Sequence, residues 1–358
     1  MNSQLIVGVE EEFLIVDERM RLLPIGGDIV DAANACCAGK RYEREQYAPI
    51  VEAKTPPCAD SESLLAELRK NRQHLTDIAG KFSAFPCALS LHPLQKLGCE
   101  HYSTGDDRYD YMNSRFGRAV MNHCGMHIHA SVGDRETSLT VLHQIVKYLP
   151  IFLALSANSP FDDGRDTQTQ SWRRVGYMPS IPLAGVPKMF GCYAEYEKYV
   201  RGLIEFDMII DPKMIWWDIR LNYRYPTIEL RICDVLHDVC DVVAITDFFA
   251  IVAYRSSKRL EQTNNGPFSE RIAQNIHSAG TFGLDAVIYD TDCLRKRSIV
   301  EYIQSVLDAH YEFAVELRKV DSLNRIRQML KKGTPANRLR RFAESGNMEN
   351  VVKSSILN

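Results

Sequence analysis

No two of the ten cysteines are spaced C-x-x-C, so the sequence offers neither a zinc knuckle nor a thioredoxin-type redox motif. It also lacks a G-x-x-x-x-G-K-S/T P-loop and a G-x-G-x-x-G fingerprint, which removes two familiar backbone cradles for phosphate. Charge of neither sign is in excess: 43 Lys and Arg stand against 46 Asp and Glu, a net of −3. That balance gives no electrostatic case for nucleic acid or for an anionic membrane. Basic residues gather only near the C-terminus (Lys331, Lys332, Arg338, Arg340, Arg341), enough for a local anion site. No apolar run reaches membrane-spanning length, and Glu10 to Glu12 interrupt any signal-peptide pattern at the start. Repeats, heptads and low-complexity tracts are missing too. The expectation is a cytoplasmic protein with reduced thiols, and at 358 residues it can bury a large core.

What is present begins with Leu5 to Val16, a strand-like run that carries three consecutive glutamates inside apolar sequence. Side chains alternate along a strand, so Gly8, Glu10, Glu12 and Leu14 share one face while Val7, Val9, Glu11 and Phe13 share the other. Two neighbouring carboxylates on one face repel, and burying them is costly unless a cation or a basic side chain neutralises them. A divalent metal satisfies that requirement. An edge strand with its acids in water is the plain alternative for this segment taken alone.

Along the chain, Asp28 to Ala38 reads as a short helix ended by Gly39, and Tyr42 to Ala53 as extended, with acids Glu45 and Glu52. Seven residues separate those two acids, so a bend or bulge near Pro49 is needed to bring both into one site. A helix capped by Asp60 or Ser61 follows, its apolar stripe Leu64, Leu68, Leu75, Ile78 and Phe82. Ala84 to Leu91 reads as a strand, Pro93 to Arg108 as a loop, and Met126 to Val132 as a strand with His127 and His129 on one face. Ser138 to Leu155 has helical spacing divided by Pro150. From 158 to 190 periodicity vanishes, and Asn158, Ser159, Asp166, Thr167, Gln168, Ser171, Arg173 and Arg174 give this flexible loop the chemistry of a substrate or phosphate lid. Trp216 to Asn222 and Thr227 to Cys233 read as paired strands, with Thr227, Glu229, Arg231 and Cys233 on one face. From about 238 the pattern is helical: Val239 to Leu260, Ile299 to Leu317, and a basic helix opened by Gly333-Thr334-Pro335-Ala336.

The candidate metal ligands are Glu10, Glu12, Glu45, Glu52, His127 and Glu229. Five carboxylates and one imidazole favour a hard ion, Mg2+ or Mn2+, over zinc. Several acids facing one pocket suit more than one ion, an arrangement that holds triphosphate oxygens during phosphoryl transfer. The pair His127-x-His129 also allows a different reading, a metal-dependent amidohydrolase-like hydrolase on a parallel barrel, and the chain offers His92, His101, His123 and His143 for it.

These residues carry a resemblance. Gly8-Val9-Glu10-Glu11-Glu12-Phe13, Glu52-Ala53-Lys54-Thr55-Pro56-Pro57-Cys58, Gly125-Met126-His127-Ile128-His129, Asn158-Ser159-Pro160-Phe161, and Trp217-Asp218-Ile219-Arg220 with Glu229 to Asp234 occur in the order found in carboxylate-amine ligases of the glutamate-cysteine ligase type 2 (YbdK-like) family. Gly333-Thr334-Pro335-Ala336-Asn337-Arg338 resembles that family's C-terminal element. The resemblance implies an α+β, glutamine-synthetase-like catalytic fold in one domain over 1–358, an antiparallel sheet funnel backed by helices. It implies an ATP-dependent ligase that joins glutamate or a related amino acid to an amine through an acyl phosphate, with Mg2+ and small-molecule partners, and leaves room for a homodimer. By motif position Arg231, Arg220 and Glu229 are the catalytic group, and Arg231, Arg173, Ser171 and Arg338 the nucleotide contacts. Arg231 is expected to steady the transferring phosphoryl group and Arg220 a substrate carboxylate or phosphate. The sequence departs from the family within Asn275 to Gly283, where His277 and Thr281 replace a Trp and an Arg, and at Gln46 to Pro49. Those departures point to a changed substrate pair, or to a non-catalytic relative that binds nucleotide or amino acid.

Overall fold

The structure is a computed structural model and describes residues 5–37, 39–94, 107–116, 122–259, 268–344 and 346–357. Its centre is a seven-stranded sheet. The first strand, β1 (Val7–Val16), is followed by α1 (Gly26–Ala35), β2 (Tyr42–Arg44), β3 (Ile50–Lys54), α2 (Ser61–Gly80), β4 (Phe85–Cys87), α3 (Asp107–Phe116) and β5 (Gly125–Ser131). Next come α4 (Arg135–Ile145), α5 (Leu149–Ser156), the short hairpin β6 (Phe161–Asp162) and β7 (Arg165–Asp166), α6 (Tyr193–Glu205), β8 (Ile219–Leu221) and β9 (Thr227–Asp234). The rest is mostly helical: α7 (Val239–Lys258), α8 (Phe268–Phe282), the hairpin β10 (Val287–Asp290) and β11 (Arg295–Ser298), then α9 (Ile299–Ala309), α10 (Tyr311–Glu316), α11 (Val320–Lys332), α12 (Pro335–Ala343) and α13 (Met348–Lys353).

Strand order is β2-β3-β1-β5-β9-β8, with β4 pairing the far end of β1, and every pairing is antiparallel. An antiparallel sheet removes the amidohydrolase reading, whose barrel requires parallel strands. The sheet has one dry face. Val7 and Val9 of β1, Met126, Ile128 and Ala130 of β5, and Ile228, Leu230 and Ile232 of β9 are buried against α4, α5 and α7, where Phe152 packs on Phe248 and Phe249. Burial of such side chains contributes about 1.5–3 kcal/mol each, so it fixes which side of every strand faces the helices.

Local chemistry explains the helix boundaries. Asp60 caps α2 by accepting from Ser63 N at 2.7 Å, and Leu64, Leu68, Leu75 and Ile78 form its buried stripe. Phe82 falls beyond the helix end and is exposed. Pro150 sits in the first turn of α5, after a short 3-10 turn over Val146–Tyr148, and so divides the long helical stretch as expected. The stretch Arg135–Ser156 is long and apolar enough to cross a membrane, but 89% of its apolar window is buried inside the protein.

One expectation needs correction. The strand at 84–91 shrinks to β4, and Leu89 and Leu91 are buried outside it. The loop at 93–108 lies largely outside the described residues. Most informative is 158–190, whose polar side chains are largely packed inside the protein rather than solvated. It contains the β6–β7 hairpin and a π-helical turn over Arg173–Tyr177, and Asn158, Ser159, Ser171, Arg173 and Arg174 are all buried. The reason is Asp234, at the end of β9, which accepts from Asn158 N (2.8 Å), Ser159 Oγ (2.8 Å) and Ser171 Oγ (3.0 Å) and lies 3.6 Å from Arg173. Polar composition here serves a buried hydrogen-bond hub.

Candidate active site

The face of the sheet opposite the helices gathers the acids. In the antiparallel register Glu12 lies across from Glu52, Glu10 across from Lys54 on one side and His127 on the other, and His129 and Arg220 both across from Glu229. Paired residues share a face, so alternation along five strands places Glu10, Glu12, Glu52, His127, His129, Glu229, Arg220 and Arg231 on one wall. All of them line a cavity of about 360 Å³. Glu45 lines it as well, because β2 stops at Arg44 and the chain bends through 45–49 before β3 begins.

A bulge in β9 adjusts this wall. Between the pairs Met126–Cys233 and Ile128–Leu230 the strand β9 carries one extra residue. That brings Arg231 to His127, with Nη1 3.4 Å from Nδ1, and turns Cys233 into the core instead of onto the Glu229 face where strict alternation places it.

Positive charge is unevenly shared among the acids. Lys54 alone serves Glu52 (2.8 Å), Glu43 (3.0 Å) and Glu10 (3.4 Å). His127 stands between the acids, Nδ1 3.4 Å from Glu10 and 4.0 Å from Glu52, Nε2 3.8 Å from Glu12. Burial, reinforced by Glu10, pushes the Glu52 carboxyl well above the usual carboxylate range despite Lys54. Burial also raises Glu12, with Glu45 adding to it and His127 and Arg173 opposing. For Glu10 burial acts in the same sense, but His129, His127 and Lys54 outweigh it and hold the group well below the usual range. Glu229 is likewise held low: Arg220 and then Arg231 overcome its burial. Two sets of donor atoms, Glu10–His127–Glu229 and Glu12–Glu52–His127, each lie within 4.8 Å of one another.

Arg220 lines the cavity and is already engaged. It grips Glu229 in a bidentate pair (both contacts 2.9 Å) and donates to the carbonyls of Lys213 (2.8 Å) and Ile215 (3.0 Å), leaving little of its guanidinium for a ligand. Arg231 also bonds Glu229, and it lines both this cavity and a smaller adjoining one. The second cavity is lined by Glu12, Glu45, His123, Arg173 and the buried ion pair Arg174–Asp218 (2.6 and 2.7 Å). Arg173 lies tight against Gly125, where any β-carbon would overlap its guanidinium, and Gly125 N donates to Glu12 at 2.5 Å.

The remaining expected contacts lie elsewhere. Ser171 is consumed by Asp234 and lines neither cavity. Arg338, on α12, donates to the Ser354 carbonyl and lies over Phe342, away from both cavities. His277 is exposed on α8 and lines neither cavity, so that departure does not touch the carboxylate wall. Sequence reasoning overlooked Lys54 as a site residue, although it follows Glu52 by two and therefore shares its face. It also gave His129 no role, yet its Nε2 is 3.5 Å from Glu10. Tyr223, Arg224 and Tyr225, at the tip of the β8–β9 turn, line the mouth and carried no signal.

Known proteins similar to this chain point one way. The model of glutamate-cysteine ligase family 2 (GCS2) matches residues 6–354. A relative from Solibacter usitatus, provisionally named glutamate–cysteine ligase 2, is 30% identical over 98% of this chain and 92% of its own. One from Paracoccus denitrificans with the same provisional name is 30% identical over 93% of this chain and 89% of its own. Among solved structures, a glutamate–cysteine ligase from Francisella tularensis in complex with AMP superposes with a TM-score of 0.77 at 12% identity, covering 98% of this chain and 87% of that one. A bifunctional glutathione synthetase from Pasteurella multocida gives 0.72 at 13% identity over 98% of this chain and 52% of that one. The fold is therefore that of the glutamate–cysteine ligases, an antiparallel sheet funnel backed by helices.

Proposed function

The chain belongs to glutamate-cysteine ligase family 2, and from that premise we propose that it is an ATP-dependent carboxylate-amine ligase whose reaction takes place on the carboxylate wall of the sheet. A carboxylate is a poor electrophile, so the ligase must first move the γ-phosphoryl group of ATP onto it. The acyl phosphate then loses phosphate to an attacking amine, and an amide, ADP and phosphate result.

The residues fit a hard divalent cation. The donors are carboxylate oxygens and imidazole nitrogens with no thiolate among them, and the crowding that raises Glu12 and Glu52 is relieved by added positive charge. Glu10 and Glu229 would hold one ion and Glu12 and Glu52 another, with the single lone pair of neutral His127 completing one of the two sets and Glu45 at the edge. Mg2+, or Mn2+, held there would supply positive charge to offset that of the phosphates and of the acid substrate.

The chain's own residues do the rest. Arg231, fixed by Glu229 beside His127, directs positive charge at the transferring group. Arg220 acts through Glu229, which it orients and keeps ionised. Arg173 projects charge into the second cavity, where the Arg174–Asp218 pair stiffens the wall. The acid substrate is glutamate or a related amino acid, and the setting is cytoplasmic.

The single observation that carries this reading is the convergence of Glu10, Glu12, Glu52, His127 and Glu229, from four strands, on one cavity beside Arg231. The test is ADP release with ATP and Mg2+ over a panel of amino acids and amines, with the product identified by mass. Amine-stimulated ADP release with a condensed product is expected. Binding of ATP and Mg2+ without turnover across the panel would reduce the protein to a nucleotide-binding relative.

A further inference from the structure

On the edge of the molecule formed by α1 and α2, a second group of reactive side chains stands outside the carboxylate wall. Cys37 follows the end of α1, and its Sγ lies 3.2 Å from Nδ1 and 3.9 Å from Nε2 of His74 on α2. Nδ1 is the nearer nitrogen and the one placed to take the thiol proton. Nδ1 is also 3.1 Å from the Tyr42 hydroxyl, which donates to the Asn71 carbonyl at 3.0 Å. With its own proton committed to that carbonyl, the phenol oxygen is free to accept from the imidazole, and it stabilises the imidazolium that forms when the thiol ionises. Cys37 and His74 are half-buried, so the sulfur is held in place and still open to a small reagent.

We propose that Cys37 and His74 form a thiol-exchange site, at which the Cys37 sulfur is covalently modified by low-molecular-weight disulfides. His74 takes the thiol proton, the Cys37 thiolate attacks one sulfur of R–S–S–R, a Cys37–S–S–R bond forms as the R–S–S–R bond breaks, and the departing thiolate receives the proton from His74. Sulfur oxidation states balance within the exchange, and no further oxidant is required.

Two alternatives are set aside by the structure. The cluster is not a metal site of the kind found in the funnel, because the only groups that bring three donors together among the described residues are the two on the carboxylate wall. Nor does α1 activate the sulfur, since the C-terminal end of a helix disfavours a thiolate. The reactivity rests on His74, which gives the test its edge. Cys293, exposed on the turn between β10 and β11, has no such imidazole and serves as the internal reference.

The experiment uses the full chain with Cys36→Ser, so that the neighbours are told apart, and the aromatic disulfide dithiobis-nitrobenzoate as probe. Release of the chromophore is followed in time and the modified peptides are mapped by mass. Cys37 is expected to react before Cys293. His74→Asn should slow Cys37 by about tenfold, the worth of one hydrogen bond to a charged group, while Cys293 keeps its rate as the control for folding. First labelling at Cys293, or an unchanged Cys37 rate in His74→Asn, would overturn the proposal.

Discussion

The two faces of β1 set the same residue type to opposite tasks. Glu10 and Glu12 look into the funnel, where one lysine is shared among three acids. Glu11, between them, points to the helices and is fully served: Arg72 of α2 grips it in a bidentate pair at 2.5 and 3.1 Å and uses its remaining N–H groups on the carbonyls of Leu236 and His237. A buried acid with a complete set of partners is a structural rivet. Glu12, raised by its burial and by Glu45, is the acid left short of positive charge, and it is open to an added cation. The difference lies in the partners, since burial is common to both faces.

The largest effect should come from the funnel face. Glu12→Gln is expected to lower ligase turnover about a thousandfold, the upper range for removal of one charge-stabilising group, with little change in the thermal midpoint. A midpoint drop equal to that of a core mutation would make Glu12 a rivet too. On the helix face the reverse holds. Glu11→Gln strands a buried guanidinium and should cost about 3–5 kcal/mol of stability, read by denaturant unfolding, while the surviving folded protein still gains thermal stability from Mg2+. Loss of that Mg2+ response in Glu11→Gln would erase the contrast.

The smallest effect is in pH dependence. Glu52 has its folded carboxyl raised above the ordinary value of about 4.3. The folded state therefore binds a proton that the unfolded chain has released, and stability falls as pH rises from the ordinary value through the raised one. Glu10, held low, contributes in the opposite sense: its stabilisation is present above the ordinary value and lost as pH falls through the depressed one. Without divalent cation, the midpoint of the wild type should thus decline as pH climbs above the ordinary carboxylate range, and Glu52→Gln should flatten that decline. Equal slopes in the two proteins would show that Glu52 is adequately neutralised already.

Much of the wall was legible because period-two alternation is a local rule. Glu10 and Glu12, His127 and His129, and Glu229 with Arg231 each follow from counting along one strand, and Lys54 could have been found by the same count from Glu52. Glu45 needed a bend, which the sequence signalled through Pro49. What alternation cannot see is a break in its own rhythm, and the β9 bulge sent Cys233 to the other side. Pairings across long stretches of chain were equally hidden: Glu11 finds Arg72 only because α2 packs beneath β1, and Asp234 finds Ser159 and Ser171 only through the turn of the 158–177 segment. Polar residues in a stretch without periodicity gave no sign of the buried hub that part of them builds.

That hub at Asp234 has a consequence for traffic. Swinging 158–177 outward would tear three hydrogen bonds from a carboxylate already buried at the end of β9, so this flank behaves as a back wall rather than a gate. The larger cavity is bordered elsewhere by the 43–45 bend and the exposed tyrosines of the 223–225 turn. Reshaping that border would alter which amines get in without disturbing the chemistry at the bottom.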